Sequence, residues 1–187
     1  MVEASIKHKP LVVDIIAKSF DDNKSINWIV KQDSKRESRI KALAEYSFNI
    51  CFQFGAVYLS EDLKGCVLLL FPEKKKTSLK SILLDAKLAF KAIGIERAIK
   101  IMDRESKIKR FHPQESFVYL WFIGVHPHHQ GNGCGTKLLK EVLDKYDRQI
   151  YLETSTLKNI PWYKKFGFEI YQELNDFGYP FYMMKKI

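Results

Sequence analysis

Apolar residues recur along the chain with two different periods, and the two periods predict a mixture of helices and strands. Helical spacing is clearest at residues 35–54 and is also present at 11–20. Two short apolar runs follow at 56–60 and 65–71, and the polar turn between them predicts a β-hairpin. A short first strand is expected around residues 2–7.

A basic segment, residues 73–112, follows the hairpin and predicts two amphipathic helices divided by Gly94. The residues expected to face the core are Leu79, Ile82, Leu83, Ala86, Phe90 and Ile93 in the first helix, and Ile95, Ala98, Ile99 and Met102 in the second. Residues 73–110 carry twelve Lys or Arg against five Asp or Glu, so most of the formal net charge of +9 arises here. Charge runs usually solvate helices, and we favour that interpretation over an attraction for an anionic cofactor or nucleic acid.

The pattern after this segment predicts the centre of the sheet. Residues 117–125 are apolar on both alternating faces, which is typical of a central strand. A helical pattern at 138–146 and a strand at 150–154 follow, and so short a strand–helix–strand unit predicts two parallel strands joined by a right-handed crossover. A short helix and two strands complete the predicted α/β fold, at 159–166, 168–174 and 179–186.

Length and composition predict a single domain spanning residues 1–187. The chain of 187 residues is 46% hydrophobic, enough for one core. Its N-terminus lacks the apolar region of a signal peptide, and no apolar run is long enough to span a membrane, so a cytoplasmic location is expected. The three cysteines are widely spaced, which favours reduced packing residues over disulfides or a metal site.

Three glycines, Gly131, Gly133 and Gly135, lie between the central strand and the next helix and predict an anion site. Glycines let main-chain N–H groups approach a ligand closely, and the first N–H groups of a helix have no helical partner. Lys137 is misplaced for a nucleoside triphosphate loop. The spacing also misses the GxGxxG of dinucleotide enzymes, yet Glu153 follows at the distance of a ribose-binding acid, so that alternative stays open.

Residues 125–135, Val-His-Pro-His-His-Gln-Gly-Asn-Gly-Cys-Gly, resemble the V-x-P-x-x-[RQ]-G-x-G-x-[GA] motif of the GCN5-related N-acetyltransferases. A second stretch, residues 152–168, is similar to that family's tyrosine-bearing helix followed by Gly-Phe. The resemblance is strong over 116–187. It implies a mixed, mostly antiparallel twisted sheet with a central parallel pair of strands flanked by helices, plus a two-helix insert between the third and fourth strands. The cofactor-binding core would span about 116–167 and the insert about 73–112.

The resemblance further implies acetyl-CoA as co-substrate and no metal. The pantetheine arm would pair with the main chain at Ile123 and Val125, and an N–H near Ile123 would polarise the thioester carbonyl. The pyrophosphate would lie on the glycine loop. The expected cofactor-binding residues are Ile123, Gly124, Val125, Gln130, Gly131, Asn132, Gly133, Cys134, Gly135, Thr136, Asn159 and Tyr163. Cys134 is expected to pack beneath the loop and not to act as a nucleophile.

By the same resemblance Tyr163 is the general acid, which protonates the leaving thiolate or donates a hydrogen bond to it. An attacking alkylamine must lose a proton, which costs roughly 4.6 kcal/mol at pH 7 when its pKa is about 10.4. Glu153 is our first candidate for the base and His126 the second, whereas His112, His128 and His129 are interpreted as turn residues beside prolines.

The expected reaction is direct acetyl transfer to a primary amine in a ternary complex. The acceptor is a small molecule or a protein amine, with the insert forming a wall of its pocket and disfavouring polycations. A homodimer is considered, and membrane and nucleic-acid partners are not expected, since the insert shows no interleaved aromatics for base stacking. The alternatives are a non-catalytic CoA-binding or sensing domain, or a dinucleotide enzyme.

Overall fold

The computed structural model describes residues 1–76 and 79–187, and all of their side chains except those of residues 79–81 and 95. The strands are β1 Val2–Glu3, β2 Gly55–Leu59, β3 Gly65–Leu70, β4 Val118–Val125, β5 Ile150–Thr154, β6 Phe168–Leu174 and β7 Phe181–Lys186. The α-helices are α1 Lys9–Ser19, α2 Lys24–Ile29, α3 Arg36–Phe54, α4 Leu79–Leu88, α5 Ile95–Lys109, α6 Cys134–Lys145 and α7 Ile160–Lys164. None of these helices is long and apolar enough to cross a membrane.

One seven-stranded sheet contains all of these strands in the order β1-β2-β3-β4-β5-β7-β6. Its only parallel pair is β4 with β5, and every other neighbouring pair is antiparallel. The two strands of the parallel pair are connected through α6, as the short strand–helix–strand pattern predicts. The expected mixed sheet with a central parallel pair and a two-helix insert between β3 and β4 is therefore confirmed.

Two apolar clusters cover the two faces of the sheet. On one face α1 and α3 pack on the central strands, with Phe48, Leu68 and Phe122 fully or almost fully buried. On the other face α6 and α7 contribute Leu139 and Tyr163 to the second cluster. The sheet thus lies between two helical layers, the arrangement that buries both apolar faces of its central strands.

Gly55 ends α3, but it does so without the conformation that is usual for a glycine at the end of a helix. A C-cap glycine usually adopts a left-handed conformation, but Gly55 has φ −160°, which any residue adopts. A Cβ at Gly55 would instead lie 2.0 Å from the main-chain oxygen of Leu69 on the neighbouring strand. Gly55 therefore permits the close approach of β2 and β3 where α3 joins the sheet.

The predicted inner faces of the insert helices are wrong except at Ile93, which is buried as predicted. Ile82, Leu83 and Phe90 are exposed, and Ile99 and Met102 expose 82% and 71% of their surface. The buried residues of the second helix are instead Ile101, Arg104 and Ile108, and Ala92 is buried beside Ile93 after the end of the first. Leu79 and Ile95 lie outside the described side chains. The stripe that packs inward includes an arginine, so hydrophobicity alone gave the wrong orientation.

Candidate active site

The parallel strands β4 and β5 separate before they end. They pair from Val118 with Ile150 to Leu120 with Leu152, while β4 continues to Val125 and β5 to Thr154. Beyond the last pair, β4 pairs with β3 on one side, and its other edge has no strand partner among the described residues. A wedge with one unpaired strand edge therefore opens beside the sheet centre, and unpaired main-chain groups there are available to a ligand.

The main-chain groups of Ile123 and Val125 face this wedge. The N–H of His126 donates to the carbonyl oxygen of Lys64 on the β3 side at 2.9 Å. Main-chain directions alternate along a strand, so the groups of Gly124 point to β3 and those of Ile123 and Val125 point to the open edge. This is the orientation that the sequence predicts for both residues.

A β-bulge interrupts β4 where the wedge begins. Leu68 and Leu69 of β3 pair with Phe122 and Leu120, which leaves Trp121 as the extra residue. As a result Trp121 and Phe122 both pack on the α1–α3 side of the sheet, while Leu120 packs on the α6 side. Bulges bend strands and reorient side chains, and this one sets the direction of the unpaired edge.

The glycine loop lies at the open end of the wedge. Gly131 and Gly133 have φ of +83° and +78°, and a Cβ on either would meet no atom within 4 Å. The first α6 hydrogen bond runs from Lys137 N–H to the Gly133 oxygen at 2.9 Å, so the N–H groups of Cys134, Gly135 and Thr136 have no helical acceptor. The loop presents these donors and the positive end of the helix dipole to an open surface.

Side chains around the loop hold its shape. Gln130 donates its amide N–H to the Val125 oxygen at 3.0 Å, and the indole N–H of Trp162 donates to the Thr136 hydroxyl at 3.1 Å. The Cys134 sulfur lies 2.9 Å from where a Cβ on Gly65 would be, so it packs under the loop as expected. Asn132 lines a groove of about 320 Å³ beside the loop. Trp162 was not among the predicted site residues, although it precedes the tyrosine.

Tyr163 is buried between Trp162 and Phe168, with ring centroids 4.8 Å and 5.8 Å away. Burial raises the pKa of the Tyr163 phenol, so the phenol keeps its proton at neutral pH. Its hydroxyl has no hydrogen-bond partner among the side chains that the structure describes. Asn159, just before α7, likewise does not cap that helix with its side chain. Both polar groups are thus available to a ligand.

Glu153 lies at the other end of the wedge, one residue beyond the last β4–β5 pair. Its side chain is only 10% exposed. One carboxylate oxygen is 2.8 Å from Nε2 of His112, and the other accepts a hydrogen bond from the Tyr119 hydroxyl, also at 2.8 Å. Sequence reasoning missed His112 as a site residue.

Comparisons with known proteins agree with this geometry. The profile of the Acetyltransferase (GNAT) family matches residues 27–168. The chain belongs to this family. GNAT membership supports acetyl transfer as the activity, favours it over dinucleotide binding, and makes acetyl-CoA the expected co-substrate, because the family generally uses it.

Several solved structures have the same GNAT fold, and three of them are described as different kinds of protein. A Corynebacterium glutamicum protein described as histone acetyltransferase HPA2 and related acetyltransferase has 20% identity and TM-score 0.72, over 99% of this chain and 93% of that one. The C-terminal condensation domain of Ebony, in complex with beta-alanyl-dopamine, has 14% identity and TM-score 0.67, over 99% and 96%. A mosquito arylalkylamine N-acetyltransferase like 5b has 13% identity and TM-score 0.55, over 98% and 97%. At these identities the likeness shows the fold.

In this GNAT domain, His126 contacts a different part of the molecule from Glu153. Its Nε2 lies 3.9 Å from a carboxylate oxygen of Asp14 on α1, and its ring packs against His128 and His129. Desolvation and the nearby Lys18 lower the pKa of His126. The second predicted base therefore belongs to the α1 side of the glycine loop.

The insert contributes charged residues to the Glu153 end of the GNAT wedge. Arg104 is 4% exposed, and its guanidinium packs on the rings of Trp28, Phe177 and Phe181 at 5.6, 5.0 and 4.9 Å. Arg104 also pairs with Glu105 at 2.6 Å. Burial raises the pKa of the Glu105 carboxyl, the Arg104 cation opposes that shift, and the negative charge of Glu153 adds to it.

Proposed function

We propose that this protein transfers the acetyl group of acetyl-CoA to the primary amine of a small molecule, by direct attack in a ternary complex. The observation that carries the proposal is the wedge between β4 and β5. The unpaired main-chain groups of β4 and the free N–H groups at the start of α6 lie on one side of this wedge. Glu153 and its hydrogen-bonded partners lie on the other side, at β5. An acyl donor and an amine that enter from the two ends would meet in the middle.

The cofactor side fits the proposed donor. The loop from Gln130 to Thr136 offers free N–H groups and no side chain above its two left-handed glycines, which suits a pyrophosphate. Ile123 and Val125 offer an extended edge to which the amides of a pantetheine arm can pair. When bound, acetyl-CoA supplies an activated thioester, and an N–H of the open edge would stabilise its carbonyl oxygen.

Tyr163 would act as a hydrogen-bond donor to the departing sulfur. Its burial raises the phenol pKa, which makes full transfer of its proton to a thiolate less favourable than it would be at the ordinary value near 10. Donation of a hydrogen bond to developing negative charge needs no such transfer. This role explains a buried hydroxyl without a protein partner in the described structure.

The acceptor side fits an amine that carries an aromatic group. Glu153 provides negative charge for an ammonium group, while Tyr119 and Trp121, stacked with ring centroids 6.2 Å apart, and Tyr46 provide aromatic walls. Of the structures that share this fold, one is described as an arylalkylamine N-acetyltransferase and another is in complex with beta-alanyl-dopamine, which supports the same acceptor class here. We therefore propose a small arylalkylamine as acceptor.

The test measures acetyl-CoA binding by calorimetry and thiol release over a panel of aryl-alkyl and alkyl amines. We expect Tyr163→Phe to lower kcat by about 10- to 100-fold with little change in KM for the amine, since it removes a contact to the developing thiolate. Tyr146→Phe is the matched control, because Tyr146 bonds to Tyr58 at 2.8 Å away from the wedge. Binding without turnover of any amine would favour the sensing alternative, and absence of binding by folded protein would refute both.

A further inference from the structure

We propose that His112 is the base that deprotonates the acceptor amine, and that Glu153 positions it. The proposal rests on the acetyl transfer proposed above. It changes the assignment that the sequence suggests, in which Glu153 itself is the base and His112 is a turn residue. The pair joins two segments that lie 41 residues apart in the chain.

The hydrogen bond between the two side chains defines the state of the imidazole. A carboxylate can only accept, so the 2.8 Å contact between Nε2 and Glu153 makes Nε2 the protonated nitrogen of neutral His112. Nδ1 then carries the free lone pair, which is the site that takes a proton. When it does so, the new imidazolium lies against a carboxylate that stabilises it, the same logic by which an acid orients a catalytic histidine.

Glu153 is better arranged to position a base than to be one. Both of its oxygens already accept hydrogen bonds, from His112 and from the Tyr119 hydroxyl. Removal of a proton from the amine by Glu153 would require breaking or sharing one of these contacts. His112, in contrast, has a ring nitrogen with no partner in the described part of the chain, so it can take a proton without breaking an existing hydrogen bond.

Side chains from three strands and one helix surround His112. Its ring packs on Phe117, just before β4, and on Tyr119, at centroid distances of 5.4 Å and 5.6 Å, and the side chain is 18% exposed. The titratable and charged groups around this pair are Tyr119 on β4, Glu153 and Tyr151 on β5, Tyr171 on β6, and Arg104 and Glu105 on α5. Glu153 and Glu105 bring negative charge to the surroundings of this pair, and Arg104 brings positive charge.

The proposed step conserves charge and atoms. Nδ1 takes one proton from the acceptor ammonium, and the neutral amine then attacks the thioester carbon, so that a C–N bond forms as the C–S bond breaks. The second nitrogen-bound proton leaves with the thiol. The imidazolium releases its proton to solvent, and the net products are the amide, CoA thiol and one proton.

The experiment compares kcat against pH, with saturating amine, for the wild type, His112→Gln, Glu153→Gln and Tyr119→Phe. Gln at 112 retains an N–H that can donate to Glu153, so it keeps the tether but removes the base. We expect His112→Gln to lose about 100-fold in kcat at pH 7 and to lose the limb that the imidazole sets, so that its kcat keeps rising with pH toward the pKa of the amine itself. Glu153→Gln should keep a limb but move it to lower pH, because the imidazolium loses its counter-charge. Tyr119→Phe should retain the limb.

Thermal unfolding of each variant separates loss of chemistry from loss of fold. An acidic limb that stays at its wild-type pH in His112→Gln overturns the proposal, and loss of that limb in Glu153→Gln would then restore Glu153 as the base. If His112→Gln is unfolded, the shift in Glu153→Gln decides, since a limb at its original pH contradicts an imidazole positioned by that carboxylate. Wild-type protein that acetylates no amine overturns the proposed function itself.

Discussion

Gly133 and Gly135 lie two residues apart in the same loop, yet alanine should have opposite effects on them. Gly133 has φ +78°, where an L-residue is strained, whereas Gly135 is not left-handed and its Cβ would meet Val125 at an ordinary 3.6 Å. We expect Gly133→Ala to lower the free energy of unfolding by about 1–2 kcal/mol. Gly135→Ala should leave it unchanged or raise it by up to about 1 kcal/mol, as alanine favours helix.

Urea denaturation measures both changes, and acetyl-CoA titration shows their effect on the loop. Gly133→Ala should bind acetyl-CoA more weakly than wild type, because its methyl group would lie on the open surface that carries the free N–H donors. Gly135→Ala should bind it about as well as wild type, because its methyl group would pack on Val125. If the two variants are equally stable, the left-handed conformation at residue 133 does not explain why glycine is present there.

At the scale of single residues, the sequence predicts most of the side of the wedge that β4 and the glycine loop form. It predicts little of the side that contains Glu153 and His112. The glycines, Ile123 and Val125 follow from a local motif, because a loop between a strand and a helix is specified by adjacent residues. The partnership of His112 with Glu153 does not follow, because it depends on how a 40-residue segment packs back on the sheet. No local pattern distinguishes His112 from the other histidines near prolines.

α1 packs closely on β4 because Gly124 has no side chain. A Cβ on Gly124 would lie 2.6 Å from the Ser19 hydroxyl oxygen. Gly124→Ala should therefore push α1 from the strand and cost about 1–3 kcal/mol of stability. Ser19→Ala removes the obstructing oxygen and leaves the Ser19 Cβ at 3.6 Å, so the double variant should recover much of the loss. Additive effects in the double-mutant cycle would contradict this contact.

The insert and the β6–β7 connection are held together by Arg104. Its guanidinium contacts three rings and bonds to the Ser25 hydroxyl at 2.7 Å. Lysine keeps the charge but lacks the planar group that stacks and bonds at once. We expect Arg104→Lys to lose about 1–2 kcal/mol of stability and to expose residues 175–180 to proteolysis. Lys109→Arg, at an exposed position of the same helix, is the control and should change neither measurement.

The elements themselves were largely predictable, whereas their orientation was not. Helical periodicity locates both ends of α3 and the end of α6 within one residue, because each helix has one clear apolar face, but α6 begins at Cys134, four residues before its apolar pattern. In the insert, Arg104 lies on the buried stripe and Ile99 and Met102 face solvent, so the hydrophobic pattern gives the wrong face. The bulge at Trp121 was also unpredicted, since a central strand apolar on both faces has no period to interrupt.

The whole molecule should have a pH range of maximal stability with a separate cause at each end. Arg39 holds the pKa of Asp33 down at about 2, below its ordinary 3.8, so the stabilisation is complete above pH 4 and is lost as pH falls toward 2. Burial raises the pKa values of the Cys66 thiol and the Tyr163 phenol in the folded state. These groups ionise at lower pH in the unfolded chain than in the folded protein. Stability should therefore fall as pH rises above about 8.5, the ordinary thiol pKa.

The free energy of unfolding in urea, measured from pH 2 to 10, tests both limbs. Asp33→Asn should be less stable than wild type at pH 7 but nearly equal to it at pH 2, since protonation removes the same charge from Asp33. Cys66→Ala should flatten the start of the alkaline decline, because no buried thiol remains to ionise at that position, although its cavity lowers stability at every pH. A constant difference between Asp33→Asn and wild type across the acid range would show that the ion pair with Arg39 does not contribute. An alkaline decline unchanged in Cys66→Ala would assign that limb to the other buried acids, the Cys51 thiol and the tyrosines, whose pKa values burial also raises.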